Sequence, residues 1–437
     1  MKNYYSAYAI LLLIFCCNCS HDSGTPSEQE QIEVPALSNA KQILGFQLIA
    51  SSDACYGEIS KNINQEAKTI DIVVSSNVTL NALLPSFELS PGAYVSPGVP
   101  QDFSQPVTYT VTAEDNTSTE YTVRVDQSLT DREILLKLLE SNPDQTTYWN
   151  TDDQSMQSWY GVVLNTENRV TELNLSQVGI HVLPPEIGQL CNLERLTLVN
   201  NQLDGLPAEI GQLKNLQYLN LNNTGLTSLP AEIGQLAMLN YFSVKGNDLA
   251  DLPSEIGQLS ALETLDASAN SLTGLPAGIG QLGSLKSLDL EGNDITEIPA
   301  EIGGLTNLES LTLSSNDMIG LPAEIGQLAN LKALTIDKGK LITLPKEIGN
   351  LPKLATLVVS RNKLESIPAE LGNASNLTYI NANRNNILSV PKEMGNLTNL
   401  NLLVLRKNDF NTVPQEICNL STDYGTRIFL DRNVACQ

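Results

Sequence analysis

The sequence predicts an α/β solenoid, a parallel-sheet horseshoe, preceded by a small all-β sandwich. Three observations lead there. From Val170 onward the chain repeats itself every 23 residues, eleven times in register. Between residues 41 and 127, apolar and polar residues alternate in short runs bounded by turn-forming residues, as half-buried strands do. Only 5% of the chain is aromatic against 41% apolar, with Leu prominent, which suits a regular aliphatic core.

The first element is a targeting segment. Lys2 precedes an apolar run at residues 8–15, too short to cross a bilayer, that ends in "FCCNCS". This cluster resembles the lipobox of bacterial lipoproteins, in which the Cys after the cut carries lipid. The resemblance implies a signal at 1–19 and a lipid anchor on Cys19, with Cys17, which follows the small Cys16, as the alternative. Cys19 is preferred because it opens the acidic tail "CSHDSGTPSEQEQIE", as in surface lipoproteins of Bacteroidota. An ordinary cleaved signal with incidental cysteines is the competing reading. Residues 20–40 read as a polar tether.

The strand runs "ILGFQLIA", "TIDIVV" and "VTYTVTAEDNTSTEYTVRV", the last folding back at "EDNTS", make 41–127 a β module. It resembles the Ig-like modules that follow the lipid anchor in many such lipoproteins, and that resemblance implies a spacer. Next, "TDREILLKLLE" places Ile134, Leu135, Leu138 and Leu139 on one face of a short helix. Both tryptophans, Trp149 and Trp159, follow in a segment that resembles the N-terminal cap of leucine-rich repeat proteins, so 128–169 is the expected cap of an open apolar end.

In the repeats (170–422), apolar residues recur at positions 1, 4, 6, 11, 14, 18 and 21 of each unit, counted from Val170, Leu193, Leu216 and so on to Leu400. The pattern "L-x-x-L-x-L-x-x-N-x-L-x-x-L-P" is that of the leucine-rich repeat family. A single coil cannot bury its own apolar faces, so only the stack folds. Asn at position 9 is expected to bond backbone groups of adjacent coils, with Val178, Thr224 and Gly339 as exceptions and local looseness at "DKGK". Pro at position 15 turns the chain off the sheet. Gly at position 19 is expected to close a helical turn with positive φ. Cys418 replaces that Gly in the last unit, and Cys436 lies one partial coil later, in a cap at 423–437; a Cys418–Cys436 disulfide is expected, against two free thiols.

A formal charge of −24 disfavours nucleic acid. "GIGQLG" at 278–283 matches a dinucleotide fingerprint but lacks the strand and full helix around it. Two histidines, His21 and His181, build neither a triad nor a His-bearing metal site. No catalysis, cofactor, metal or small-molecule substrate is therefore expected. The outward positions carry the functional information. Position 8 ends in a basic row, Lys338, Arg361, Arg384 and Lys407, with Lys340, Lys363 and Arg406 beside it. Asp266, Asp289 and Glu291 make the middle acidic, and Tyr218 and Tyr241 stack among Asn220, Asn222, Asn223 and Asn240. These ten residues (Lys338, Arg361, Arg384, Arg406, Lys407, Tyr218, Tyr241, Asp266, Asp289, Glu291) are the candidate concave-face site for an extracellular protein or, alternatively, an anionic glycan. The expected setting is the outer membrane, lipid-anchored and facing the exterior. Leucine-rich repeat membership implies binding, commonly of proteins.

Overall fold

The computed structural model describes residues 37–48, 58–76, 78–145 and 149–437. The expected signal, most of the tether, Cys17, Cys19 and Cys55 lie outside the described residues. The N-terminal module has two sheets. One pairs β1 (Ile43–Gln47) with β4 (Ser86–Leu89). The other holds β2 (Glu58–Asn64), β3 (Thr69–Val74), β7 (Ser118–Gln127), β6 (Val107–Thr112) and β5 (Tyr94–Ser96) in that order, with β3 and β7 parallel. The alternation in "TIDIVV" sends Ile70, Ile72 and Val74 inward, where they meet Tyr109, Val111, Tyr121 and Val123. Phe46 and Phe87 reach across from the other sheet, with ring centroids 5.1 Å apart.

The predicted helix is α1 (Asp131–Ser141), begun by a capping box: Thr130 Oγ1 accepts from Glu133 N–H and Glu133 Oε2 accepts from Thr130 N–H. Ile134, Leu135 and Leu138 are buried against the first coil. Asp131 is buried too, accepting from Arg169 Nη2 at 2.8 Å and Val170 N at 2.6 Å, so it locks the helix to the first repeat strand. Trp149 and Trp159 stack at 4.8 Å over the open end. β8 (Val162–Leu164) runs antiparallel to β9 (Val170–Asn174), the strand of the first repeat.

From β9 the sheet continues parallel through three-residue strands, Arg195–Thr197 to Leu402–Val404, and ends at Arg427–Phe429; the whole has 13 strands. Each strand occupies positions 3–5, and every register step is one repeat, as in Leu196↔Leu219. Residues at positions 1, 4, 6 and 18 are almost fully buried throughout. The Asn ladder forms as expected: Asn316 Nδ2 donates to Leu290 O and Leu313 O at 2.9 and 3.1 Å, and its Oδ1 accepts Ile295 N–H at 3.0 Å. Thr224 keeps part of this through its hydroxyl, which donates to Leu221 O at 2.8 Å. Gly339 supplies no side chain. The backbone stitch made by Asp317 N–H and Lys363 N–H to the preceding coil, 2.9 Å in both, is not made by Lys340 among the described residues.

Two expectations need correcting. The chain behind the sheet turns through five-residue 3-10 helices such as Ala208–Gln212, begun after Pro, and the position-19 glycines inside them do not have positive φ. Their reason is close approach. A Cβ on Gly211 would sit 2.4 Å from Glu232 O of the next coil, and one on Gly349 would sit 2.0 Å from Glu370 O. The last coil has no successor, so position 19 can carry a side chain. There the turn is a full helix, α2 (Gln415–Tyr424), and Cys418 is bonded to Cys436 with Cα atoms 6.3 Å apart. Cys191 is also disulfide-bonded. Ile428 takes the position-4 register opposite Leu403, but Asn433 does not join the ladder and meets Asn411 at 3.5 Å instead.

Candidate binding surface

The strands' outward residues, positions 3 and 5, line the inner face of the arc. Position 3 begins with Glu172, Arg195, Tyr218 and Tyr241, aligned by strand register. The Arg195 guanidinium lies 4.1 Å over the Tyr218 ring, and Tyr218 stacks on Tyr241 at 4.4 Å and 6°. Arg195 in turn reaches Glu172 at 4.0 Å. One consequence bears on ligand choice. Both faces of Tyr218 are occupied, so it offers its hydroxyl edge, where Asn220 Nδ2 donates at 3.3 Å. Tyr241 keeps one outer face, above Thr264. Burial, then its neighbour Tyr218, pushes the Tyr241 phenol up, which keeps it a neutral hydrogen-bonding group.

The acidic middle follows directly. Asp266 and Asp289 face each other across adjacent strands. Asp266 Oδ1 accepts from Ser268 N and Oγ at 3.0 and 2.6 Å, and Asp289 Oδ1 accepts from Glu291 N at 3.0 Å. Asp289 is half-buried, and that desolvation raises its pKa above the ordinary carboxylate value; the Glu291 amide opposes this, Asp266 and Glu291 reinforce it, and Lys245 lowers it again. Among the described residues no three His, Cys, Asp or Glu side chains converge as metal ligands.

Position 8 follows the strand rather than belonging to it: it lies in a bend or turn just beyond, and its backbone is left-handed in all eleven coils, from Gln177 at φ 59° to Lys407 at φ 60°. The reason is the chain reversal between the strand and the Asn at position 9. Gly is the cheapest occupant of such a conformation and Asn the next; of the seven earlier coils four use Gly246, Gly292, Asn200 and Asn223, and three carry Gln177, Ala269 and Ser315. The last four carry Lys338, Arg361, Arg384 and Lys407, all exposed. Their amides are fixed coil to coil, Arg361 N to Asn383 O and Arg384 N to Arg406 O at 2.9 Å each. At about 4.8 Å per coil, neighbouring like charges repel by roughly 0.9 kcal/mol in water-like dielectric. Arg406 is partly committed, 5.1 Å over the Phe429 ring, and Lys340 pairs with Asp317 at 2.7 Å. Sequence reasoning missed the left-handed backbone and the role of Arg195. It also missed exposed Ile319, Ile342 and Leu388, which stand at position 12 of their coils.

The glycine fingerprint has a packing explanation: a Cβ on Gly278 would lie 2.3 Å from Ser254 O of the preceding coil. His181 Nδ1 lies 3.0 Å from Gln202 O. Among the described residues no helix is long and apolar enough to cross a membrane.

Comparison with known proteins matches this anatomy. The family described as "Leucine-rich repeat region" matches residues 208–294 and 279–377, "Leucine rich repeat" matches 168–226, and "SGBP, N-terminal" matches 50–125. No curated protein matches the chain. Among solved structures, a leucine-rich repeat protein of Leptospira interrogans is 34% identical over 60% of this chain and 84% of its own, with a TM-score of 0.35. A TDR receptor is 30% identical over 60% of this chain and 47% of its own, with a TM-score of 0.54. The Arabidopsis receptor kinase HAESA, solved with the peptide hormone IDA and the co-receptor SERK1, is 26% identical over 70% and 54%, with a TM-score of 0.58. The chain thus spans about half the length of the two receptors.

Proposed function

Because the chain belongs to the leucine-rich repeat family, we propose that it is a non-enzymatic surface protein whose inner sheet face holds a protein partner. The observation that carries this is the continuous Arg195, Tyr218, Tyr241, Asp266 and Asp289 track on adjacent strands. Its ring faces are largely filled by one another, so it presents hydroxyls, amides and half-buried carboxylates, groups suited to an extended polypeptide carrying cationic side chains. Rigid aromatics flanked by adaptable polar groups make good anchors because little entropy is lost on binding. The likeness to receptors solved with peptide ligands supports a peptide-like partner. The "SGBP, N-terminal" match supports a surface-associated protein, with the β module as spacer and Cys19, or Cys17, as the lipid anchor in the outer membrane. Two measurements test this reading. Radiolabelled palmitate should enter the wild-type chain and not the Cys19→Ser variant. A partner crosslinked to the full chain should bind the Tyr241→Ala/Asp289→Asn variant about tenfold more weakly or worse; unchanged affinity would reject the inner-face site.

A further inference from the structure

Resting on that reading of the inner face, we infer that its partner is a two-part polypeptide: a cationic stretch lies over Asp266 and Asp289, and an apolar stretch lies over a shelf made by Tyr379, Leu402, Val404 and Phe429. The shelf marks a change in the face. From Glu172 to Thr335 every outward strand residue at positions 3 and 5 carries a polar group, Ala333 excepted. From Val358 onward aliphatic and aromatic side chains take over, with Asn381 and Arg427 between them. Register sets Leu402 beside Tyr379 and Val404 beside Phe429, and Leu402 and Val404 share one side of their strand. All four are at least partly exposed; Phe429, on the last strand of the sheet, is 38% exposed. Threonine fills the same outward positions at Thr264, Thr312, Thr335 and Thr356 in strands of the same length, so the sheet itself does not require apolar residues there.

Charge decides which part of the partner goes where. Asp266 and Asp289 are register neighbours in the middle of the face. The shelf is flanked instead by cations: Arg406, 5.1 Å over the Phe429 ring, and exposed Arg427, the register partner of Leu402. A cationic stretch is drawn to the carboxylates and repelled from the shelf, which leaves the shelf to uncharged apolar side chains, whose burial there is favourable. Between the two zones Ser310, Thr312, Ala333 and Thr335 are small and uncharged, so a partner's backbone can lie close to the sheet. Asp289 and Val404 hold the same position five strand steps apart, roughly 24 Å at the usual spacing of paired strands. An extended polypeptide covers that span in about seven residues.

The test selects phage-displayed random linear peptides of about 16 residues, long enough for both parts, on the full chain. Enriched peptides should carry Lys or Arg at one end and large aliphatic or aromatic residues about seven positions away. A synthetic peptide from that pool, followed by fluorescence anisotropy, should bind the Leu402→Thr/Val404→Thr variant about tenfold more weakly or worse, with Tm nearly unchanged. High salt should weaken the peptide overall, yet the loss caused by Leu402→Thr/Val404→Thr should persist, because apolar contact is not screened. No enrichment, enriched peptides without an apolar stretch, or full affinity for the Leu402→Thr/Val404→Thr variant would each overturn the two-part partner. Full affinity for that variant together with loss on Tyr241→Ala/Asp289→Asn would remove the shelf and leave the protein-binding face standing. Full affinity for both variants would reject the inner face altogether.

Discussion

Gly349 shows how a residue type can be right for a reason other than the expected one. Its backbone is ordinary, and a Cβ placed on it would lie 2.0 Å from Glu370 O of the next coil. Gly349→Ala should therefore cost roughly 1–3 kcal/mol through forced separation of two coils. Gly205→Ala meets nothing within 4 Å and should gain about 0.4–1 kcal/mol by restricting the unfolded chain. Chemical denaturation of both variants checks the pair, and equal effects would refute the close-approach account. Asp289 offers a pH test. Its folded pKa lies above the ordinary 3.8, so the folded state binds its proton more tightly than the unfolded chain. The associated stability is present at low pH and declines as pH rises from that ordinary value through the folded one. Asp289→Asn should raise Tm slightly at pH 7, on the order of 1 °C, and not at pH 3. A larger gain at pH 3 would reverse the sign and sink the argument.

Elements were legible where periodicity had to serve packing. The 23-residue register located the strands of the long parallel sheet from β9 onward, though not the short pair Thr412–Val413 and Ala435–Cys436, and the Thr/Asp start with Ile134, Leu135, Leu138 and Leu139 on one face located α1. What stayed hidden depends on the neighbouring coil or on backbone sign. Nothing in "LPAEIGQL" says that its Gly touches the next coil's carbonyl, and nothing in "VVSRNKL" says that Arg361 has φ 53°. The inner-face charges were readable, but the occupied faces of Tyr218 required the stack itself. α2 stands where the other coils make a five-residue 3-10 turn, and it lengthens because it ends the stack. Its bond from Cys418 to Cys436 closes a loop of 18 residues, worth roughly 3 kcal/mol if its effect is mainly on the unfolded chain. Cys418→Ser/Cys436→Ser should lower stability by about that amount and expose the final coil first. Proteolysis that begins elsewhere in the variant would contradict this placement.

A solenoid's stability is close to a sum of coils and the interfaces between them, so a weak interface opens locally without unfolding the rest. Every interface here buries a similar set of Leu and Ile residues, which makes hydrogen bonds the term that distinguishes one seam from the next. The seam at Gly339 lacks both the Asn side chain and the Lys340 backbone stitch, whereas the seams at Asn293, Asn316 and Asn385 have both. Net hydrogen-bond contributions of about 0.5–1.5 kcal/mol each imply local opening roughly tenfold or more easier there. Backbone amides of residues 318–341 should accordingly exchange with deuterium about tenfold faster than the equivalent amides of 272–295. The seam also lies at the start of the basic row, where repulsion between Lys338 and Arg361 adds to the deficit. High salt should therefore narrow the difference in exchange without abolishing it. Uniform protection along the arc would show that aliphatic packing, not the ladder, sets the stability of each seam.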